Sequence, residues 1–219
     1  MDMLERMRRR HSVRKYTDKP LDPDAIRALR EEILECNAES GLLIQLVTDE
    51  PEAFAAEKPS YGAFKGCRNY LVLVGKPDKE EAIGYYGERI VLKAMEWGIH
   101  SCWVALTYKK GKAKGEIPDG YRRYMVIALG YGETEGLPHK GKTLTDVSDY
   151  KDGDPDWYRD GVEAALLAPT AINQQKFKFE RDGEIAKASV SGLGFHTKVD
   201  LGIVKYHFEA VAGRNHLAR

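Results

Sequence analysis

No hydrophobic run in the sequence approaches the roughly 20 residues that cross a bilayer, and the opening MDMLERMRRRHSVRKY lacks the apolar stretch of a secretory leader. Cysteine is scarce. Cys36, Cys67 and Cys102 are odd in number and form no C-x-x-C pair, which argues against a disulfide framework or a structural zinc site. An excess of one charge is missing too: 34 basic and 34 acidic side chains cancel over 219 residues. The broad positive footprint of a nucleic-acid binder is therefore not expected. The common nucleotide signatures are absent as well, with no G-x-G-x-x-G between a strand and a helix and no G-x-x-x-x-G-K-[ST]. Gly130-Tyr131-Gly132 and Gly192-Leu193-Gly194 are isolated glycine pairs. The histidines do not fall at metal-ligand spacing. These absences lead us to expect a soluble cytoplasmic chain with neither a metal centre nor a bound Rossmann dinucleotide.

What is present is ordinary globular composition, 42% hydrophobic and 31% charged. A short basic helix is expected over residues 2–10. Residues 22–35 read as a helix, with Asp22 before Pro23 and with Ile26, Leu29, Ile33 and Leu34 at helical spacing. Apolar runs at 42–48 and 69–75 read as strands, separated by a loop-like stretch over 50–66. The longest helical pattern covers 79–97 and stops at Gly98. Residues 101–108 read as extended chain, 121–130 hold a strand, and 131–150 read as a long connection. A helix over 156–167 is stopped by Pro169. Two hairpin strands, 175–181 and 184–191, flank Asp182-Gly183. A last helix spans 198–212. The helix-loop-strand order at 28–49 recurs at 160–182, and GERIVLKAMEWG is echoed by DLGIVKYHFEAVAG. Such an echo suggests two pseudo-symmetric halves, 1–150 and 151–219.

Four clusters can carry chemistry. In Arg10-His11-Ser12-Val13-Arg14, extended chain would point Arg10, Ser12 and Arg14 to one side, as a phosphate grip of two guanidinium forks and a hydroxyl. In Pro169-Thr170-Ala171-Ile172-Asn173, small residues and polar tips suit the edge of a flat heteroaromatic ring. The stretch Ser101 to Thr107, which includes Ala105 and Leu106, could lay backbone amides against such a ring. His139-Lys140-Gly141-Lys142 offers two cations spaced by a glycine. Cys102 lacks an assignable His-Asp or His-Asn arrangement and reads as a buried apolar thiol.

Taken together these segments resemble the FMN-dependent nitroreductase family. RHSVR is similar to that family's opening motif, and APTAINQQ to its P-S-x-x-N-x-Q-P-W segment. GERIVLKAMEWGIHSCWV resembles its central helix and following strand, and VIALGYGE with K-G-K its late strand and basic pair. The resemblance implies an α+β fold, a mixed or antiparallel sheet flanked by helices. It also implies FMN as cofactor, NAD(P)H as donor and a small electron acceptor such as a nitroaromatic or a quinone.

The order of motifs is unusual, because the early Cys36-Asn37-Ala38-Glu39-Ser40 lacks the proline and the good copy follows residue 168. Family members are typically homodimers with flavin at the interface. The Thermotoga-type subgroup that this chain resembles would imitate the dimer within one chain, as a monomer or a weak homodimer with one FMN. The resemblance then assigns Arg10, Ser12, Arg14, Lys140 and Lys142 to the phosphate or the polar flavin edge, with His11 beside them. Pro169, Thr170, Ala171 and Asn173 would line the ring, and Ala105, Leu106 and Thr107 would sit near its reactive nitrogen. Lys65 matches a flavin-edge lysine. Lys176 and Phe177 replace the usual proline and tryptophan, which puts substrate stacking in question. No side-chain acid or base is assigned. Two other readings stay open: a flavin-binding protein of this fold without turnover, and a basic-arm nucleic-acid module using RMRRRHSVRK.

Overall fold

A computed structural model describes residues 1–55 and 63–218. The chain packs as two compact units, both discontinuous in sequence: Arg9–Lys79 with Ile90–Leu137, and Met1–Arg8 with Glu80–Arg89 and Pro138–Arg219. Part of the stretch expected to be loop-like over 50–66 lies outside the described residues.

The first unit holds a four-stranded antiparallel sheet in the order β1-β2-β4-β3. Its strands are β1 (Leu43–Val47), β2 (Asn69–Gly75), β3 (His100–Val104) and β4 (Arg122–Gly130). Every residue of β2 is buried, which explains why NYLVLVG reads as a continuous apolar run rather than an alternating one. Helix α2 (Pro23–Ser40) lies against β1. Asp22 caps it by accepting from the Asp24 amide, and Gly41, with φ 69°, ends it by donating to Asn37 O. The helix ends five residues later than the periodicity predicts. Its buried stripe is Ala25, Leu29, Ile33 and Cys36, whereas Leu34 is 69% exposed. The early Asn37 is used structurally: its side chain donates to Ile44 O (2.9 Å) and accepts from Ile44 N (2.8 Å), pinning β1 to the helix end.

Helix α3 (Glu80–Ala94) runs on through one 3-10 turn to Gly98. Strand β3 stops at Val104, so the chain expected to stay extended to 108 instead bends over 105–108.

The second unit contains helix α1 (Met3–Arg9) up to Arg8, the first ten residues of α3, α4 (Leu144–Val147), α5 (Asp156–Leu166), the hairpin β5 (Phe177–Asp182) with β6 (Ile185–Val190), and α6 (Thr197–Ala212). Asp182 pairs with Ile185, so the turn is Gly183-Glu184, one residue beyond the expected dipeptide, with Gly183 at φ 61°. The buried face of α5 (Tyr158, Val162, Ala165) packs on α6, where Phe179 and Phe208 stack at 4.8 Å.

Two glycines set the approach of α3 to α6. A Cβ on Gly84 would lie 2.0 Å from Val199 O, and one on Gly202 would lie 1.9 Å from Glu81 O. Close by, the fully buried His207 places Nδ1 3.0 Å from Ala164 O and Nε2 3.0 Å from the fully buried Glu88. A carbonyl can only accept, so Nδ1 carries a proton there. Among the described residues no helix is long and apolar enough to cross a membrane.

Candidate cofactor site

In the first unit, residues 12–16 form short β-bridges that fix the arginine-bearing segment. Ser12 pairs with Ser101, Lys15 with Lys65 and Tyr16 with Gly132. The Val13 amide donates to Ser101 O (3.0 Å), and the Tyr16 amide donates to Lys65 O (2.8 Å). Val13 and Tyr16 are buried, and the Tyr16 hydroxyl donates to Val13 O (2.7 Å). Tyr16 can sit so deep because Gly66 and Gly130 leave it room; a Cβ on Gly66 would lie 2.2 Å from Tyr16 O.

The predicted triad divides by exposure. Ser12 and Arg14 are open to solvent, whereas Arg10 is only 3% exposed. All three nevertheless bear on the electrostatics of the Cys102 thiol. Burial pushes that thiol up, and against it work the Arg14 charge, a hydrogen bond from Ser12 and the Arg10 charge. Next to it the Ser101 hydroxyl is buried and meets no hydrogen-bond partner among the described residues. Two cations, one exposed hydroxyl and one unsatisfied buried hydroxyl form a donor set that suits a phosphate. Cys102 is buried and free, as are Cys36 and Cys67, and this agrees with the apolar-thiol expectation.

The remaining predicted residues of this unit are spread out. His11 is half-buried, with its Cβ 2.8 Å from where a Cβ on Gly136 would stand. Ala105 is half-buried, while Leu106, 75% exposed, and Thr107 project from the bend after β3. Lys65 is exposed and its ammonium pairs with Glu133 at 2.9 Å, which raises the lysine and lowers the carboxyl. Lys65 alone of the predicted site residues lines a cavity of about 690 Å³ that Tyr16, Phe54, Phe64 and Arg68 also border.

Sequence reasoning missed His100. Its Nδ1 accepts from the Gly132 amide (3.1 Å), so Nε2 carries the proton and faces Glu135 at 3.4 Å. Arg9 reaches the same carboxylate at 3.3 Å. His100 first, and then Arg9, holds the Glu135 carboxyl below its usual range. This arrangement fixes the stem of the arginine segment.

In the second unit, two predicted clusters come together. The loop after Pro169 is wound tightly, with Ile172, Asn173 and Gln175 at φ 49°, 56° and 45°. Thr170 Oγ1 accepts from the Gln175 amide (3.0 Å). Asn173 Nδ2 and Gln175 Nε2 both donate to Lys140 O, at 2.9 and 2.8 Å. The Lys142 amide donates to Gln175 Oε1 (2.8 Å) and its ammonium to Gln175 O (2.7 Å). The K-G-K segment therefore braces the asparagine loop, and Lys142 spends a donor inside that brace.

Asp200, at the start of α6, holds the loop from the other side. It accepts from the Ala171 amide (3.0 Å) and from Gln174 Nε2 (2.7 Å). Burial pushes its carboxyl up to about 6, with Gln174 and Ala171 pulling the other way. Phe177, the substitute for the expected tryptophan, is 1% exposed and belongs to the core.

An antiparallel sheet flanked by helices, with an arginine-bearing segment beside one strand and an asparagine loop following a helix, defines a nitroreductase-like α+β fold. The chain belongs to the family described as "Putative TM nitroreductase", whose model matches residues 2–212. Fold and membership make it an oxidoreductase of the nitroreductase type. A "putative nitroreductase" of Thermotoga maritima superposes with a TM-score of 0.65 at 23% identity, covering 96% of this chain and 83% of its own. A protein of Desulfovibrio desulfuricans, described as a "putative nitroreductase in complex with FMN", gives 0.52 at 16% identity, over 66% of this chain and 93% of its own. The "Putative NADH dehydrogenase/NAD(P)H nitroreductase" of Parabacteroides distasonis gives 0.52 at 21%, over 69% and 98%. No curated protein matches the sequence.

Proposed function

We propose that this protein is a cytoplasmic FMN-dependent oxidoreductase that passes reducing equivalents from NAD(P)H to a small acceptor such as a nitroaromatic or a quinone. The observation that carries the reading is the bridge that seats Ser12 beside Ser101, within the segment bearing Arg10 and Arg14, next to a buried Ser101 hydroxyl that has no hydrogen-bond partner among the described residues. Bound FMN would supply hydride chemistry that no side chain offers. The chain's own residues would hold it. Arg10, Ser12 and Arg14 take the phosphate with His11 alongside, and Lys140, Lys142 and Lys65 supply positive charge at the polar edge. Pro169, Thr170, Ala171 and Asn173 line the ring edge, with Ala105, Leu106 and Thr107 against the flavin.

The same reading has one chain stand for a dimer and bind one FMN. Two observations support this. The Desulfovibrio protein is matched over 93% of its length by 66% of this chain, so about a third of this chain lies beyond one copy of that fold. The glycine crossing is also reciprocal. Gly84 meets Val199 and Ile203, while Gly202 meets Glu81 and Tyr85, so residue 84 stands to 199 and 203 as residue 202 stands to 81 and 85. A two-fold axis generates such a pattern.

The test is a titration of the purified protein with FMN, followed by quenching of flavin fluorescence. Saturable uptake is expected, together with bleaching on addition of NADH or NADPH. Arg14→Ala should weaken uptake roughly 10- to 100-fold, the value of a charge-assisted phosphate contact. No uptake would overturn the proposal. Uptake without bleaching by either nicotinamide would favour a flavin-binding protein without turnover.

A further inference from the structure

Large apolar side chains crowd two adjacent loops of the second unit. Ile172 is 88% exposed, Leu193 94% and Phe195 77%. Ile172 lies on the asparagine loop, and the other two lie on Ser-Gly-Leu-Gly-Phe between β6 and α6. The two loops are fastened together. Gln174 Nε2 donates to Phe195 O (2.7 Å) and to Asp200 Oδ2 (2.7 Å), Ser191 N donates to Lys176 O (3.1 Å), and Lys176 Nζ donates to Leu193 O. Gly194 makes the fit possible, since a Cβ there would stand 2.2 Å from Gln174 Oε1.

Exposure here coincides with backbone strain. Ile172 is β-branched and sits at φ 49°, a conformation that such residues seldom adopt, and its side chain gains no burial from it. His196, directly after Phe195, is at φ 57°. Strain that holds an apolar side chain out of the core points to use at a binding surface. The patch is small. Even fully buried aromatic side chains contribute only roughly 150–250 Å² each. A stable protein interface needs about 1,000 Å² or more. Three side chains fall short of that and match one or two fused rings. The Lys176 ammonium is turned onto the Leu193 carbonyl.

We propose that Ile172, Leu193 and Phe195 form the surface that receives a neutral, flat aromatic electron acceptor, with Phe195 as its stacking residue. The inference rests on the FMN reading above and deepens it: Phe195 takes the role that the buried Phe177 cannot. Gln174 and Asp200 act as positioning residues that keep the two loops in register.

The experiment uses FMN-loaded, oxidised protein without nicotinamide, titrated calorimetrically with 1,4-naphthoquinone. Wild type should bind it. Phe195→Ala should bind roughly 10-fold more weakly and Leu193→Ser several-fold more weakly, while Phe195→Tyr keeps wild-type affinity. In turnover, Phe195→Ala should raise KM for the quinone and leave KM for the nicotinamide unchanged. The flavin absorbance of each variant reports FMN retention separately. A wild type that takes up no FMN overturns the reading beneath and this inference with it. Intact FMN uptake with equal quinone affinity in wild type and Phe195→Ala overturns this inference alone. A wild-type dimer that Phe195→Ala converts to monomer in sedimentation also overturns it, because the patch would then join copies of the chain.

Discussion

Replacing Gly202 by alanine tests the helix crossing on which the second unit is built. The new Cβ would stand 1.9 Å from Glu81 O, 2.7 Å from Tyr85 N and 2.9 Å from Glu81 C. All three are backbone atoms that cannot swing aside, so α3 and α6 must part by about 1.5 Å to reach ordinary contact. Alanine returns about 1 kcal/mol of helix propensity. Against that gain stands overpacking, at roughly 1–3 kcal/mol. Parting the helices would also stretch the 3.0 Å His207–Glu88 contact past hydrogen-bond range. Breaking that buried contact costs about 3 kcal/mol more. The net destabilisation is about 3–5 kcal/mol, which for a chain of this size lowers Tm by roughly 6–20 °C. Thermal unfolding followed by circular dichroism measures it, with Gly111→Ala as control, since nothing lies within 4 Å of that Cβ. Gly84→Ala should behave like Gly202→Ala. A Gly202→Ala protein melting within about 2 °C of wild type would refute the crossing.

Three further outcomes are expected. Asp200 has a folded pKa of about 6, raised above its unfolded value, so the native state holds the proton more tightly. Its contribution is therefore full at low pH and lost as pH rises through the window from about 4 to 6, by up to about 3 kcal/mol. In Asp200→Asn the fall in stability across that window should flatten, read from urea unfolding at several pH values; an unchanged slope refutes the assignment. His207→Ala removes the buried contacts to the Ala164 carbonyl and to Glu88 and should cost about 3–5 kcal/mol, measured as a lower urea midpoint. Lys65→Ala removes an exposed pair with Glu133 and should leave Tm unchanged; a clear drop would show that the pair is structural.

Much of the scaffold is legible in the sequence because periodicity reports burial directly. NYLVLVG reads as a strand, and it is one, buried along its whole length. The long helix before Gly98 and the β5–β6 hairpin follow from the same logic. The errors have local physical causes. Leu34 lies one position off the Leu29–Ile33 stripe and faces solvent. The one-turn helix at Leu144–Val147 was hidden in a polar connection, although Thr143-x-x-Asp146 spells its capping box. For the site, the types of residue were legible but their partners were not. Asn173 and Gln175 meet Lys140 from more than 30 positions away, and no periodicity encodes that pairing. Asp200 carried the one available signal, an acid inside the apolar run Val-Asp-Leu-Gly-Ile-Val, where a carboxylate survives only with hydrogen-bond donors. His100 gave none: its role depends on an amide at Gly132 across the β3–β4 pair.

The central claim is that this fold exists to hold one flavin mononucleotide. The most direct measurement is the absorbance of the purified protein after incubation with FMN and removal of the excess, between about 350 and 500 nm, where flavins absorb. One equivalent of tightly held flavin per chain is the predicted result. A colourless protein, recovered folded after the same treatment, would contradict it.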